Sequence, residues 1–89
     1  MKKTVITVVG KDTVGIIAKV CTYLAQNRIN ILDISQTIVD GYFNMMMVVD
    51  TGEFTSLEKL SMEMEQIGDE IGVKITCQNE EIFDMMHRI

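Results

Sequence analysis

The residues best suited to chemistry lie between positions 10 and 31. Gly10-Lys11-Asp12-Thr13-Val14-Gly15-Ile16 closes an apolar stretch and opens a helical one. At such a junction the first backbone N–H groups of the helix have no intrahelical acceptor, and the positive end of the helix dipole adds to them, which favours a carboxylate. Gly15 costs a helix about 1 kcal/mol relative to Ala in its first turn, and its missing side chain leaves room for a ligand or another backbone. Asp12 supplies a carboxylate for an ammonium group, and Asn30 offers both a donor and an acceptor. Together they suit a zwitterion. The same residues also have a plainer use, with Asp12 as a helix cap, Gly15 as a tight helix-to-helix contact and Asn30 as a turn residue. Spacing alone leaves both open.

Other chemistries find little material. His87 is the single histidine, third from the end, where the negative end of a helix dipole accounts for it. Ser35, Ser56 and Ser61 have no histidine or lysine pattern to activate them. The acidic residues lack the spacing of a calcium loop, and the Gly10 to Gly15 segment lacks the Lys-Ser/Thr that a phosphate loop requires after its second glycine. Met45, Met46 and Met47 alternate between the two faces of a strand and read as flexible core filler rather than a soft-metal site. Cys21 and Cys77 are 56 positions apart with no CxxC, so both read as small buried hydrophobes. The expectation is a non-enzyme with no metal and no cofactor.

Composition narrows the setting. Leu, Ile, Val and Phe supply 28 of 89 residues, well above the roughly 20% below which chains stay disordered. One domain is expected. A net charge of −5 removes the general source of nucleic-acid affinity. The longest apolar run, Met45 to Val49, is far below the ~20 residues that cross a bilayer, and the stretch after Lys2-Lys3 is too short for an export core. A cytoplasmic protein is expected, away from membranes.

Periodicity supplies the elements that position these residues. Lys3 to Val9 reads as a strand ending at Gly10. Ile16, Ile17, Val20, Cys21 and Leu24 then form a helical stripe, capped by Asp12 or Thr13 and ending near Asn27. Ile29 to Val39 and Tyr42 to Asp50 are strand patterns joined by Asp40-Gly41, the signature of a type I′ hairpin. Leu57, Leu60, Met64, Ile67 and Ile71 mark a second helix, with its glutamates and aspartates on the wet side. Val73 to Gln78 is a last short strand. Residues 79–89 read as a C-terminal helix, capped by Asn79, with Ile82, Met85, Met86 and Ile89 on its apolar side.

The order βαββαβ with right-handed crossovers implies an α+β, ferredoxin-like sandwich: a four-stranded antiparallel sheet with two helices on one face. The first and third strands are apolar in both phases and should be central and covered on both sides. The second, with Leu32, Ile34 and Ile38 in one phase, and the fourth should be outer strands with one wet face. The helix-free face keeps an apolar central strip, so a homodimer or coverage by the C-terminal helix is expected. An RNA-binding sheet of the same order would need stacking aromatics on its third strand, where this chain has methionines and valines.

The strand Thr4 to Val9, then Asp12-x-x-Gly15-Ile16 opening a helix, then Asn30-Ile31 entering the next strand, resembles the ACT domain family, the small regulatory modules of amino-acid metabolism. The resemblance covers residues 1–78 and is greatest to free-standing single-domain members, which look like one half of the tandem-ACT glycine-cleavage regulator. It implies pairing side by side with an amino acid held between subunits. Asp12, Thr13, Val14, Gly15 and Ile16 would offer backbone amides and space, and Asn30 and Ile31 of the neighbour would meet the ligand from across the interface. Val14 stands where the family typically has proline. The implied function is a homodimeric sensor of a small amino acid acting on an unknown regulated protein. The alternatives are a constitutive protein-interaction module without ligand and an acylphosphatase-type hydrolase, the latter lacking the required arginine in its first loop.

Overall fold

In the computed structural model, residues 3–11, 14–52 and 56–79 are described. Their order is β1 (Lys3–Lys11), α1 (Ile16–Gln26), β2 (Asn30–Val39), β3 (Tyr42–Asp50), α2 (Leu57–Ile71) and β4 (Val73–Asn79). The sheet runs β2-β3-β1-β4 with every neighbour antiparallel. The two strands that are apolar in both phases are the central ones, as expected. The expected C-terminal helix lies outside the described residues, but its proposed cap does not: Asn79 is the last residue of β4, paired with Thr4.

One layer of core separates sheet and helices. Ile6 and Val8 of β1 and Phe43, Met45, Met47 and Val49 of β3 face Ile16, Val20 and Leu24 of α1 and Leu60 and Met64 of α2. The methionines at 45 and 47 are fully buried, flexible side chains that fill this layer. Gly10 does not end the first strand. It pairs with Phe43 and Val73, and a Cβ there would come within 2.8 Å of the Val73 side chain, so glycine allows β1 and β4 to approach.

Local chemistry sets the connections. Asp40 and Gly41 both have positive φ, 52° and 78°, as the tight hairpin requires. The helix α1 closes with the Ile29 N–H donating to the Leu24 carbonyl and the Arg28 N–H to that of Ala25, while Arg28 takes a left-handed φ of 56°. This double bond pattern turns the chain sharply and, with Leu24 and Ile29 both buried, fixes where β2 begins.

The outer strand β2 departs from expectation. A bulge between Ile31 and Asp33 leaves Leu32 without a partner in the register and breaks the phase, so Ile31 rather than Leu32 packs against the core. Ile34 and Ile38 lie opposite Met47 and Phe43, on the helix side of the sheet, yet are 45% and 53% exposed. Neither helix reaches over β2, so both of its faces are wet. The central strands are likewise covered fully on the helix side only, since Val9 and Met46 on the other face are exposed.

Candidate functional site

The mouth between β1 and α1 is built around Gly15. It is the N-cap of α1 with φ 94°, a left-handed conformation that L side chains adopt only with strain. Its carbonyl accepts from the Lys19 N–H at 2.9 Å, the first bond of the helix. This replaces the expected cap at Asp12 or Thr13, which lie outside the described residues, and it moves glycine from the first turn to the residue before it. The physical need for glycine here is dihedral. A Cβ at Gly15 would meet nothing within 4 Å among the described residues, so the tight helix contact offered as its plainer role is not what the structure has.

The N–H groups of Ile16, Ile17 and Ala18 follow Gly15 and have no carbonyl four residues back within the helix. Val14 is fully exposed beside them. Ile16 points into the core, leaving only its backbone at the mouth.

Asn30 and Ile31 are not near this mouth in the same chain. Asn30 pairs with Asp50, and Asp50 with Lys3, at the far end of the sheet, whereas Gly15 follows Lys11 at the other end. Eight residues of strand separate the two ends, about 26 Å. Asn30 is exposed there, and Ile31 packs against the core edge.

Open clefts lie elsewhere among the described residues. One of about 530 Å³ lies between α2 and β4 around Gly68, Asp69 and Lys74, and one of about 440 Å³ lies between the helices around Thr22, Tyr23 and Glu70. Neither includes Gly15 or Asn30. The described residues hold no cluster of three or more metal-binding side chains. No described helix is long and apolar enough to cross a membrane.

The helices are tied by Tyr23 Oη donating to Glu63 Oε1 at 2.7 Å. Burial first, then that bond, pushes the Tyr23 phenol upward. Lys19 and Glu70 form an exposed pair at 3.9 Å that contributes little. Burial raises the Cys77 thiol from 9.0 to about 11, partly opposed by a hydrogen bond with Ser61. The folded chain therefore holds this proton more tightly than the unfolded chain. The stabilisation is complete below pH 9 and is lost as pH rises towards 11. Alkylation of Cys77 by iodoacetamide at pH 8 is expected to be about a hundredfold slower in the folded protein than in urea, because the thiolate fraction falls by that factor. Peptide mapping by mass spectrometry reads the two rates, and equal rates would contradict the burial.

The described residues thus form a βαββαβ domain with backbone amides exposed at its first strand-to-helix junction. Residues 2–78 match the ACT domain, and the chain belongs to the ACT domain family, whose members are in general regulatory ligand-binding modules. It is 60% identical over 93 aligned positions to a UPF0237 protein of Bifidobacterium longum, with all of both chains covered. Among solved structures it resembles an ACT domain protein from Streptococcus pneumoniae, with a TM-score of 0.84 and 46% identity over 93% of this chain and 94% of that one. A putative glycine cleavage system transcriptional repressor shares the fold, with a TM-score of 0.77 and 22% identity over 86% of this chain and 44% of that one.

Proposed function

We propose that the protein is a non-catalytic, cytoplasmic homodimer that senses a small amino acid and passes its state to a regulated partner protein. The observation that carries this reading is the separation of Gly15 from Asn30 combined with the bare edge of β2. If two β2 strands pair antiparallel about a two-fold axis, Asn30 of one chain falls opposite Val39 of the other, on the same end of the sheet as the partner's Gly15. One chain has half of the site at each end; two chains complete it twice.

The exposed side chains of Ile34 and Ile38 then form an apolar floor on the helix side, between the two copies of α1. The amides of Ile16 to Ala18 receive the ligand carboxylate, and Asp12 balances its ammonium group. The family membership supports the ligand class, and the two free cysteines suit a reducing compartment.

The test is a calorimetric and thermal-shift screen of the twenty amino acids, followed by complementation. Gly15→Leu obstructs the mouth and Asn30→Ala removes the contact from across the interface, so each variant alone is expected to bind nothing. Their mixture makes heterodimers in which one site carries both changes and the other carries neither. Binding should return to roughly a quarter of the wild-type stoichiometry at statistical mixing. Ligand at a hundred times its Kd stabilises the dimer by about 2.7 kcal/mol. No response of the wild-type protein to any amino acid would favour the constitutive interaction module instead, and a response without complementation would place both residues' roles within one chain.

A further inference from the structure

We propose that the ligand is an aliphatic amino acid, of the valine, leucine and isoleucine class, whose side chain lies in an apolar trough between α1 and β2. This specificity rests on the amino-acid site proposed above.

The trough follows from the way α1 is turned. Successive helical residues are about 100° apart, and Ile16, Val20 and Leu24 point into the core. Lys19, Tyr23 and Gln26 line the cleft toward α2, which itself lies against β4 at one edge of the sheet. Ile17 and Cys21 therefore fall on the opposite flank, turned toward β2. On the helix side β2 presents Ile34, Gln36 and Ile38, which pair with Met47, Met45 and Phe43. Ile38 shares its row with Gly10 through Phe43, about 10 Å away, and so stands at the Gly15 end.

Ile17 is the second residue of α1, and its N–H is one of the amides assigned to the ligand carboxylate. A ligand anchored there has its own side chain beside Ile17. In one chain Ile17 is 39% and Ile38 53% exposed, which leaves the trough open on its β2 side. The two-fold pairing that sets Asn30 opposite Val39 also sets Ile31 of the second copy opposite Ile38. Both are on the helix side, since Ile31 pairs with Val49 and Ile38 with Phe43. Ile17, Cys21, Ile38 and the second copy's Ile31 then enclose the space.

Among the described residues of α1 and β2 no charged side chain turns into it. Lys19 lies on the far flank beside Glu70, and Asp33 pairs with Val48 on the helix-free face. Gln36 is two residues, about 7 Å, farther along β2. A polar ligand side chain would lose its water here without gaining a partner, whereas an aliphatic one gains by burial.

Isosteric pairs test this. Calorimetric titration of the wild-type protein should show valine bound about tenfold to a hundredfold more tightly than threonine, and leucine more tightly than asparagine. Equal or reversed preferences within both pairs overturn the aliphatic subsite and leave the amino-acid sensor standing; silence toward all twenty amino acids overturns both. In Ile17→Gln the affinity for leucine should fall roughly tenfold. Helix content and the dimer should be unchanged, because Ile17 is partly exposed and off the β2 edge. An Ile17→Gln variant that folds, dimerises and binds leucine as the wild type does would also overturn the proposal.

Discussion

A chain carrying Ile34→Asp and Ile38→Asp is expected to stay folded, to become monomeric and to lose its response to amino acids. Both side chains are about half exposed on an outer strand, so the isolated domain gives up little apolar burial when they change. The proposed two-fold interface multiplies the effect, because each substitution appears twice and places four carboxylates on one apolar floor. Loss of four apolar contacts plus the like-charge repulsion amounts to at least about 4 kcal/mol, a thousandfold weaker dimer. Sedimentation equilibrium reads the association, circular dichroism the fold, and the amino-acid thermal shift the site. A matching charge on the other outer strand, Thr76→Asp, should leave the dimer intact. If the double variant remains dimeric, β2 is not the interface; if it is monomeric but still responds to the ligand, the composite site is wrong.

Gly68→Ala should destabilise the domain by about 1–3 kcal/mol, even though alanine is favoured over glycine in a helix by about 1 kcal/mol. A Cβ at this position would sit 2.6 Å from the Val73 carbonyl oxygen and 3.2 Å from Ile75 Cγ1. The carbonyl belongs to the backbone of β4 and cannot swing aside like the end of a side chain. Either α2 lifts from the strand or β4 bends, and both open the layer that holds Leu60 and Met64. In a domain of this size each kcal/mol lowers the melting temperature by about 4–8 °C, which calorimetry resolves easily. A neutral or stabilising result would mean that α2 rides farther from β4 than the geometry has it.

Gly68 also shows where periodicity stops being informative. The spacing of Leu57, Leu60, Met64, Ile67 and Ile71 correctly marks a helix, but the most buried line along it is Leu60, Met64 and Gly68. Leu57 is 38% exposed. Apolar residues define a face to within one or two positions; the nearest backbone decides which of them sits deepest, and there a residue without a side chain fits best. Gly10 repeats the lesson on a strand. Read alone it is a stop, whereas between Phe43 and Val73 it is the position that lets β1 and β4 close together.

The candidate site divides in the same way. Asp12, Gly15 and Asn30 were recognisable by residue type and by their resemblance to a family, and the αL requirement at Gly15 could have been suspected from a glycine just before a helical stripe. The separation of Gly15 from Asn30 was implied only by the family resemblance and not by spacing, because distance along the chain carries no information about which end of an antiparallel sheet a strand begins on.

From sequence alone came the βαββαβ order, the central position of the first and third strands and the Asp40-Gly41 hairpin, all consequences of local dihedral preference and of which side chains avoid water. The bulge between Ile31 and Asp33 and the uncovered helix side of β2 arose only from the assembled sheet. The first depends on how β2 pairs with β3 and the second on how far two helices extend across four strands, questions of three-dimensional reach that no local pattern records.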